Sequence, residues 1–251
     1  MSSIRAEVDR TTAMPASPFP IPDSEPIVIR GVVFDMDGVL TDTIEFHYQT
    51  WQRLADEEGI PFDRQANEAL RGLSRRDSLM AILGDRTLDE AIVEEMLDRK
   101  NRYFLEFIQT MTQDHLLPGV LDLLQELRSK DIRIAIASAS RNVELVTRQL
   151  GITDWIDTIT NVYNVPNPKP APDVFLYAAQ QIALPPNQCI AIEDARAGVK
   201  AALDARMWVV GLGPYQRVGA AHVILPDLEG VRWSDILDNI KSGRARTHGN
   251  R

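Results

Sequence analysis

Two aspartates stand two positions apart where an apolar run ends. Asp35 and Asp37 stand at the end of an apolar, β-branched run near residues 28–35, and glycine comes next at residue 38. This pattern predicts a short buried strand with a turn at its end. An extended backbone points both carboxylates the same way, where a divalent cation such as Mg²⁺ would relieve their repulsion. The alternative is that both acids only mark the turn.

A small-residue segment after a second predicted strand could receive a phosphate group. Residues 132–137 predict the strand, and Ser138, Ala139 and Ser140 follow it. Small side chains let a phosphate approach the backbone, and the amides at the start of the next helix would point at the anion. The alternative is that Ser140 or Asn142 only caps that helix.

A lysine and an acidic pair occupy two later segments of the same kind. Lys169 has proline on both sides, which stiffens the backbone around an ammonium that could neutralise a phosphoryl group. Glu193 and Asp194 follow an apolar strand at residues 189–192 and could share a Mg²⁺ site with the first pair. Taken singly, the lysine could be solvated and the acids could cap a helix.

The elements that must position these residues change character along the chain. Helical periodicity dominates from residue 44 to about residue 113, and strand–helix alternation follows from residue 118 to residue 240. Such alternation predicts an α/β fold with a mostly parallel sheet covered on both faces. We therefore expect a core of residues 27–43 and 115–251, a helical cap of residues 44–114, and a flexible proline-rich extension at residues 1–26.

Composition narrows the class of partner. The 251 residues include 27 basic and 36 acidic side chains, a net charge of −9, and no long basic run before the tail, which argues against nucleic acid. No apolar span is long enough for a membrane helix, and the single cysteine, Cys189, excludes an internal disulfide. We expect a cytoplasmic monomer whose partners are small molecules, not nucleic acid or membrane.

Together the four segments resemble the motifs of the haloacid dehalogenase superfamily. Their order along the chain, nucleophile loop, serine, lysine and acidic pair, is that of the superfamily. The resemblance implies a Rossmann-like core with a C1-type helical cap. It also implies that Asp35 is the phosphorylated nucleophile and Asp37 the general acid/base, and that Asp35, the Asp37 carbonyl, Glu193 and Asp194 surround Mg²⁺.

Within that superfamily the chain is similar to the β-phosphoglucomutase family from about residue 28 to residue 227. The similarity implies an isomerase of carbohydrate metabolism that interconverts β-D-glucose 1-phosphate and D-glucose 6-phosphate through a phosphoprotein intermediate, with β-glucose 1,6-bisphosphate as activator. This sequence departs from the family's pattern at Arg141, where the family typically has lysine. The implied substrate- and phosphate-binding residues are Thr43, His47, Trp51, Gly72, Leu73, Ser74, Arg75, Lys100, Ser138, Ala139, Ser140, Arg141, Asn142 and Lys169.

Two other functions remain open from the sequence. A sugar-phosphate phosphatase of the same superfamily would use the same core acids, so only the cap residues favour the mutase. For each cap residue taken alone, solvated surface is the better interpretation. A sugar-phosphate sensor without turnover would have no need of the Asp35 and Asp37 pair.

Overall fold

A computed structural model of the chain describes residues 27–71, 73–161 and 163–248, without side chains for residues 243–248. The expected N-terminal extension and the site residue Gly72 lie outside these described residues. In the described part, no helix combines the length and the apolar character needed to cross a membrane.

Six parallel strands form one sheet. The strands are β1 (Gly31–Phe34), β2 (Arg133–Ala137), β3 (Thr158–Thr160), β4 (Cys189–Glu193), β5 (Trp208–Leu212) and β6 (Val223–Leu225). Their order in the sheet is β3-β2-β1-β4-β5-β6. The strands after β1 are added towards one edge and the strands after β4 towards the other, so the strand order reverses between the neighbours β1 and β4. Ligands of open α/β sheets bind at the carboxyl ends of the strands beside such a reversal. The predicted α/β fold is confirmed.

Both faces of the sheet are buried, which explains why its strands are apolar without polar alternation. In β1, Val32 and Phe34 pack into one hydrophobic cluster, and Val33 packs into the cluster on the other face. The second face is lined by small residues such as Ala135 and Ala191, so the covering helices can approach the sheet closely.

Ten helices accompany the sheet in the described ranges. They are α1 (Ile44–Glu57), α2 (Arg64–Glu68), α3 (Arg75–Leu83), α4 (Glu90–Ile108), α5 (Val120–Ser129), α6 (Val143–Gln149), α7 (Asp173–Gln181), α8 (Arg196–Asp204), α9 (Tyr215–Val218) and α10 (Trp233–His248). Helices α1 to α4 have a hydrophobic cluster of their own, which includes Trp51, Leu79 and Met96. A separate cluster suits the proposed cap of residues 44–114.

The chain segments that enter and leave helices α1 to α4 lie side by side. The Thr41 hydroxyl donates to the His115 carbonyl at 2.6 Å, and the Leu117 amide donates to the Leu40 carbonyl at 3.0 Å. Two adjacent connections of this kind suit hinge motion of the cap over the strand ends.

Two helical features differ from the predictions. The strand–helix alternation predicts that the last helix ends near residue 240, but α10 continues to His248. Lysine, arginine and alanine after Ile240 favour helix, and one glycine at residue 243 costs only about 1 kcal/mol. The four-residue helix α9 was not predicted, because it is too short to show periodicity.

His222 is expected to make the stability of the fold depend on pH. Its Nδ1 accepts the Val209 amide at 3.0 Å, and burial lowers the pKa of the imidazole to about 4. Because the unfolded value is near 6.5, unfolded chains bind the proton first, so this contribution is complete above pH 6.5 and is lost as pH falls towards 4. The loss is on the order of 3 kcal/mol.

Chemical denaturation at pH 7.5 and pH 5 measures this effect. The His222→Gln variant, which has no titrating side chain here, should lose less stability between the two pH values than the wild type. Buried carboxylates with raised pKa values act in the opposite direction in both proteins, so only the difference between proteins reports on His222. Equal losses would contradict the assignment.

Candidate active site

A cleft opens between the carboxyl ends of the strands and the helices α1 to α4. It encloses about 770 Å³, part of it open to solvent. The residues that line it are Asp35, Asp37, Ile44, His47, Trp51, Asn67, Leu70, Arg71, Leu73, Arg75, Ser78, Lys100, Ala139, Ser140, Arg141 and Asp194. Acids from the sheet therefore form one wall, and cations from the helices α3 and α4 face them.

A buried lysine joins the carboxylate that follows β1 to the carboxylate at the end of β4. Lys169 Nζ lies 2.6 Å from Asp35 Oδ1 and 2.6 Å from Glu193 Oε1, and it also donates to the Ala137 carbonyl at 3.0 Å. Although burial opposes it, the two carboxylates raise the pKa of Lys169 above its usual value. The ammonium therefore stays charged and holds one oxygen of Asp35, which fixes the orientation of that carboxylate.

The carboxylate of Asp37 has a different environment from that of Asp35. The Thr43 hydroxyl donates to Asp37 Oδ1, and His47 Nε2 lies 3.9 Å from the same oxygen. Burial and the nearby Asp35 carboxylate raise the pKa of Asp37 to about 7. A carboxyl group with a pKa near neutral pH can both accept and return a proton, which suits Asp37 to the role of a general acid/base.

On the opposite wall lies a buried lysine, and among the described side chains no carboxylate lies within 4.0 Å of its ammonium nitrogen. Lys100 is 1% exposed, and its Nζ lies 2.8 Å from His47 Nδ1. Burial and Arg75 lower the pKa of Lys100 well below its usual range, and burial and Lys100 do the same to His47. An anion bound in the cleft would favour the charged lysine, so this wall suits a negatively charged ligand.

Two guanidinium groups add positive charge to the cleft, one from the helical layer and one from the segment between β2 and α6. Arg75 begins α3 and Arg141 precedes α6, and both line the cleft. Burial and the charge of Arg141 lower the pKa of Arg75 to about 10, because the two cations repel each other. For the side chains described here, no carboxylate lies within 4.0 Å of either guanidinium. Both therefore have donors left for a phosphate group.

An ion pair closes one side of the cleft. Arg71 Nη1 lies 2.8 Å from Asp194 Oδ2, and Arg71 also contacts Glu68 at 2.7 Å. Glu68 in turn lies 3.2 Å from Arg217. These ion pairs link the helical layer to the strand ends. Arg71 and Asp194, the first pair, are 123 residues apart in sequence.

Comparisons with known proteins agree with this geometry. Residues 29–206 match the family model of haloacid dehalogenase-like hydrolases. The chain belongs to the haloacid dehalogenase-like hydrolase family. It is 40% identical over 201 residues to the β-phosphoglucomutase of Bacillus subtilis, an alignment that covers 78% of this chain and 89% of that protein.

Two further relatives represent both activities considered above. A crystal structure of β-phosphoglucomutase from Clostridium difficile superposes with a TM-score of 0.83 at 36% identity, covering 86% of this chain and 98% of the other. A fructose-1-phosphate phosphatase of Escherichia coli is 30% identical over 181 residues, 70% of this chain and 93% of that protein. The family includes both mutases and phosphatases, so membership alone does not select between them.

Three carboxylates could hold the metal ion that this family's chemistry implies. Asp35, Glu193 and Asp194 each offer an oxygen, and the three oxygens lie within 4.8 Å of one another. Burial and the Asp35 carboxylate raise the pKa of Asp194, and burial likewise raises that of Glu193. The cluster thus carries negative charge that Lys169 and Arg71 only partly balance. Hard oxygen ligands in this number suit Mg²⁺.

Two glycines leave room for these acids. A Cβ at Gly38, which has a φ of +83°, would lie 2.4 Å from Asp194 Oδ2. A Cβ at Gly198 would lie 1.6 Å from Glu193 Oε1, the oxygen that contacts Lys169. Any side chain at either position would displace an acid of the cluster.

The structure brings most of the expected site residues together around the cleft. From the expected set, the residues that line the cleft are Asp35, Asp37, His47, Trp51, Leu73, Arg75, Lys100, Ala139, Ser140, Arg141 and Asp194. Four others are buried and do not line the cleft: Thr43, Ser138, Lys169 and Glu193.

Two expected ligands use their side chains elsewhere. The Ser74 hydroxyl caps α3, because it accepts the Asp77 amide at 3.1 Å. The Asn142 side chain does not cap α6. Its Nδ2 donates to Asn101 Oδ1 at 2.9 Å, and this hydrogen bond joins α4 to the strand ends. Their roles in binding remain predictions.

Sequence reasoning missed several residues of the cleft wall. Ile44, Leu70 and Ser78 line it, as do Asn67 and Arg71. Asn67 did carry a signal, because it lies three positions before Leu70 on the buried side of α2, where a polar residue is unusual. Arg71 carried none, since its partner Asp194 is distant in sequence.

Proposed function

We propose that this protein is a β-phosphoglucomutase, an isomerase that interconverts β-D-glucose 1-phosphate and D-glucose 6-phosphate. The observation that carries the proposal is the two-sided cleft, with Asp35 and Asp37 on one wall and Lys100 and Arg75 on the other. A mutase must hold a sugar with one phosphate at the reacting carboxylate and a second phosphate at the far end. The similarity to the Bacillus subtilis β-phosphoglucomutase supports the same reading.

Asp35 is proposed as the nucleophile that carries the phosphoryl group. One of its oxygens contacts Lys169 at 2.6 Å, which leaves the other free to attack phosphorus. Lys169 would also balance negative charge on the transferring phosphoryl group, together with donors from Ser138 and the backbone after β2. Mg²⁺, held by Asp35, the Asp37 carbonyl, Glu193 and Asp194, would supply further charge neutralisation during transfer.

Asp37 is proposed as the general acid/base. Phospho-Asp35 gives its phosphoryl group to the C6 hydroxyl of β-glucose 1-phosphate while Asp37 accepts the hydroxyl proton. The resulting β-glucose 1,6-bisphosphate turns around in the cleft. Its C1 phosphate then passes to Asp35, Asp37 returns the proton to the C1 oxygen, and glucose 6-phosphate leaves.

The remaining cationic and aromatic side chains of the cleft are proposed to bind the rest of the substrate. Arg75 and Arg141 would hold the phosphate that is not reacting, and His47, Trp51 and Lys100 would contact the sugar. Closure of the cap would exclude water from phospho-Asp35, whose hydrolysis would turn the mutase into a phosphatase. The Arg71–Asp194 ion pair supports such closure, because it connects the two walls.

A coupled assay with Mg²⁺ tests the proposal. β-Glucose 1-phosphate with a trace of β-glucose 1,6-bisphosphate should yield glucose 6-phosphate, detected through its dehydrogenase, and the α anomer should not. Inorganic phosphate is measured in the same samples. Release of phosphate without glucose 6-phosphate would overturn the mutase and favour the phosphatase, which the Escherichia coli relative keeps as the second candidate.

Replacing Arg75 by alanine should impair sugar turnover much more than loading of Asp35. Loss of a charged donor to the distal phosphate should lower kcat/KM for β-glucose 1-phosphate by roughly 10- to 100-fold. Phosphorylation of Asp35 by acetyl phosphate, a donor without a distal phosphate, should change by less than about threefold.

Arg76→Ala is the matched control, because Arg76 is the next residue but pairs with Glu90 and Glu94 on the outer side of α3. It should retain near-normal values in both assays. Equal losses in the two assays for Arg75→Ala would count against its role at the distal phosphate.

A further inference from the structure

A solvent-exposed aromatic ring lies beside Arg141, a residue of the cleft. Tyr163 follows β3 and is 65% exposed. Its amide donates to Asn161 Oδ1 at 2.9 Å, and the Asn161 amide donates to Asn164 Oδ1 at 2.8 Å. Asn161 is itself buried, so local hydrogen bonds anchor the loop that presents the ring.

The exposed ring contacts a cation of the cleft wall. The Cζ atom of Arg141 lies 4.9 Å from the centre of the Tyr163 ring. A guanidinium is planar and weakly hydrated, so it stacks on an aromatic face more readily than an ammonium does. The contact thus involves Arg141, one of the cations that line the cleft.

Arg141 needs such support because of its other neighbour. Arg75 lines the same cleft, and its positive charge repels that of Arg141. The described side chains place no carboxylate within 4.0 Å of either guanidinium. A long side chain under this repulsion would turn towards solvent when no anion is bound. The face of the Tyr163 ring offers the Arg141 guanidinium a favourable contact that opposes this movement.

We propose that Tyr163 is a positioning residue that holds the Arg141 guanidinium opposite Arg75, so that the two form a preorganised clamp for the non-reacting phosphate of a sugar bisphosphate. The inference rests on the proposed function only in taking the ligand to carry two phosphates. Tyr163 itself touches neither the reacting atoms nor the catalytic acids. It acts by reducing the entropy that Arg141 loses when phosphate binds.

Equilibrium binding separates this proposal from the reaction itself. In the Asp35→Asn protein with Mg²⁺, which cannot transfer phosphate, calorimetry measures the Kd for β-glucose 1,6-bisphosphate and, as a second probe, fructose 1,6-bisphosphate. Tyr163→Leu, which keeps bulk but removes the ring face, should weaken bisphosphate binding about two- to fivefold, the size of an exposed cation–π contact. Tyr163→Phe should bind normally, since only the hydroxyl is lost.

A double-mutant comparison decides whether Tyr163 acts through Arg141. In an Arg141→Ala background, Tyr163→Leu should cause no further loss of bisphosphate affinity. In the active enzyme, Tyr163→Leu should raise KM and leave kcat within about twofold. Equal weakening by Tyr163→Phe, an undiminished effect without Arg141, or unchanged affinity would each overturn the proposal. Failure of both bisphosphates to bind would overturn the clamp.

The outcome is distinguishable from failure of the proposed function. A chain that releases phosphate but makes no glucose 6-phosphate would refute the mutase, yet a Tyr163-dependent Kd for a bisphosphate would still support the clamp. Because the side chain of Tyr163 is mostly exposed, its variants should keep the melting temperature of the parent protein, which checks that they fold.

Discussion

Replacing Asp35 by asparagine should abolish turnover of every phosphate ester, by at least roughly 10⁴-fold. An amide is a poor nucleophile towards phosphorus, and the variant cannot form an acyl phosphate. The fold should survive, because Lys169 keeps its contacts with Glu193 and the Ala137 carbonyl. The coupled assay measures turnover, and mass spectrometry after acetyl phosphate treatment measures protein-bound phosphate.

Asp42→Asn is the matched control for Asp35→Asn. Asp42 lies seven positions later, is exposed, and uses its carboxylate to accept the Ile44 amide at 3.1 Å. An asparagine oxygen can accept the same hydrogen bond, so activity should stay within about threefold of the wild type. Phosphate bound to the Asp35→Asn protein, or turnover above roughly 0.01% of wild type, which is what a 10⁴-fold loss leaves, would refute Asp35 as the nucleophile.

Replacing Asp37 by asparagine should slow transfer between enzyme and sugar by roughly 10²- to 10⁴-fold. The amide cannot accept the proton of the C6 hydroxyl or return one to the C1 oxygen. Phosphorylation of Asp35 by acetyl phosphate should be affected far less, because acetate leaves without protonation. Rapid-quench measurement of phospho-Asp35 with both donors gives the two rates.

The ratio of these two rates is the decisive quantity for Asp37. A structural defect at the strand tip would slow both donors alike, so equal losses would argue against proton transfer by Asp37. Thr43→Ser is a useful companion variant, since it keeps the hydroxyl that donates to Asp37 and should preserve both rates.

The strand tips show how far sequence reasoning could go. The apolar runs before Asp35, Ser138 and Glu193 predict buried strands, and parallel strands place their carboxyl ends at one edge of a sheet. Helical periodicity likewise predicted α1 to α4 as a separate layer. These features depend on local pattern, so the sequence was enough to predict them.

Contacts between distant residues could not be predicted in the same way. Lys169 lies 134 positions from Asp35, and the structure shows that its ammonium also reaches Glu193 and so joins two strand tips. The Arg71–Asp194 pair and the Tyr163–Arg141 stack have the same character. Each depends on how the loops and helices pack, which local periodicity does not contain.

The sequence by itself determined the α/β class, the parallel sheet and the set of residue types able to transfer a phosphoryl group. Only the tertiary structure decided how these residues differ from one another. Asp35 contacts a buried ammonium, whereas Asp37 lies in a desolvated position near a second negative charge that raises its pKa to about 7. Proton affinity depends on burial and on charges from distant parts of the chain, and these are set only when the chain has folded.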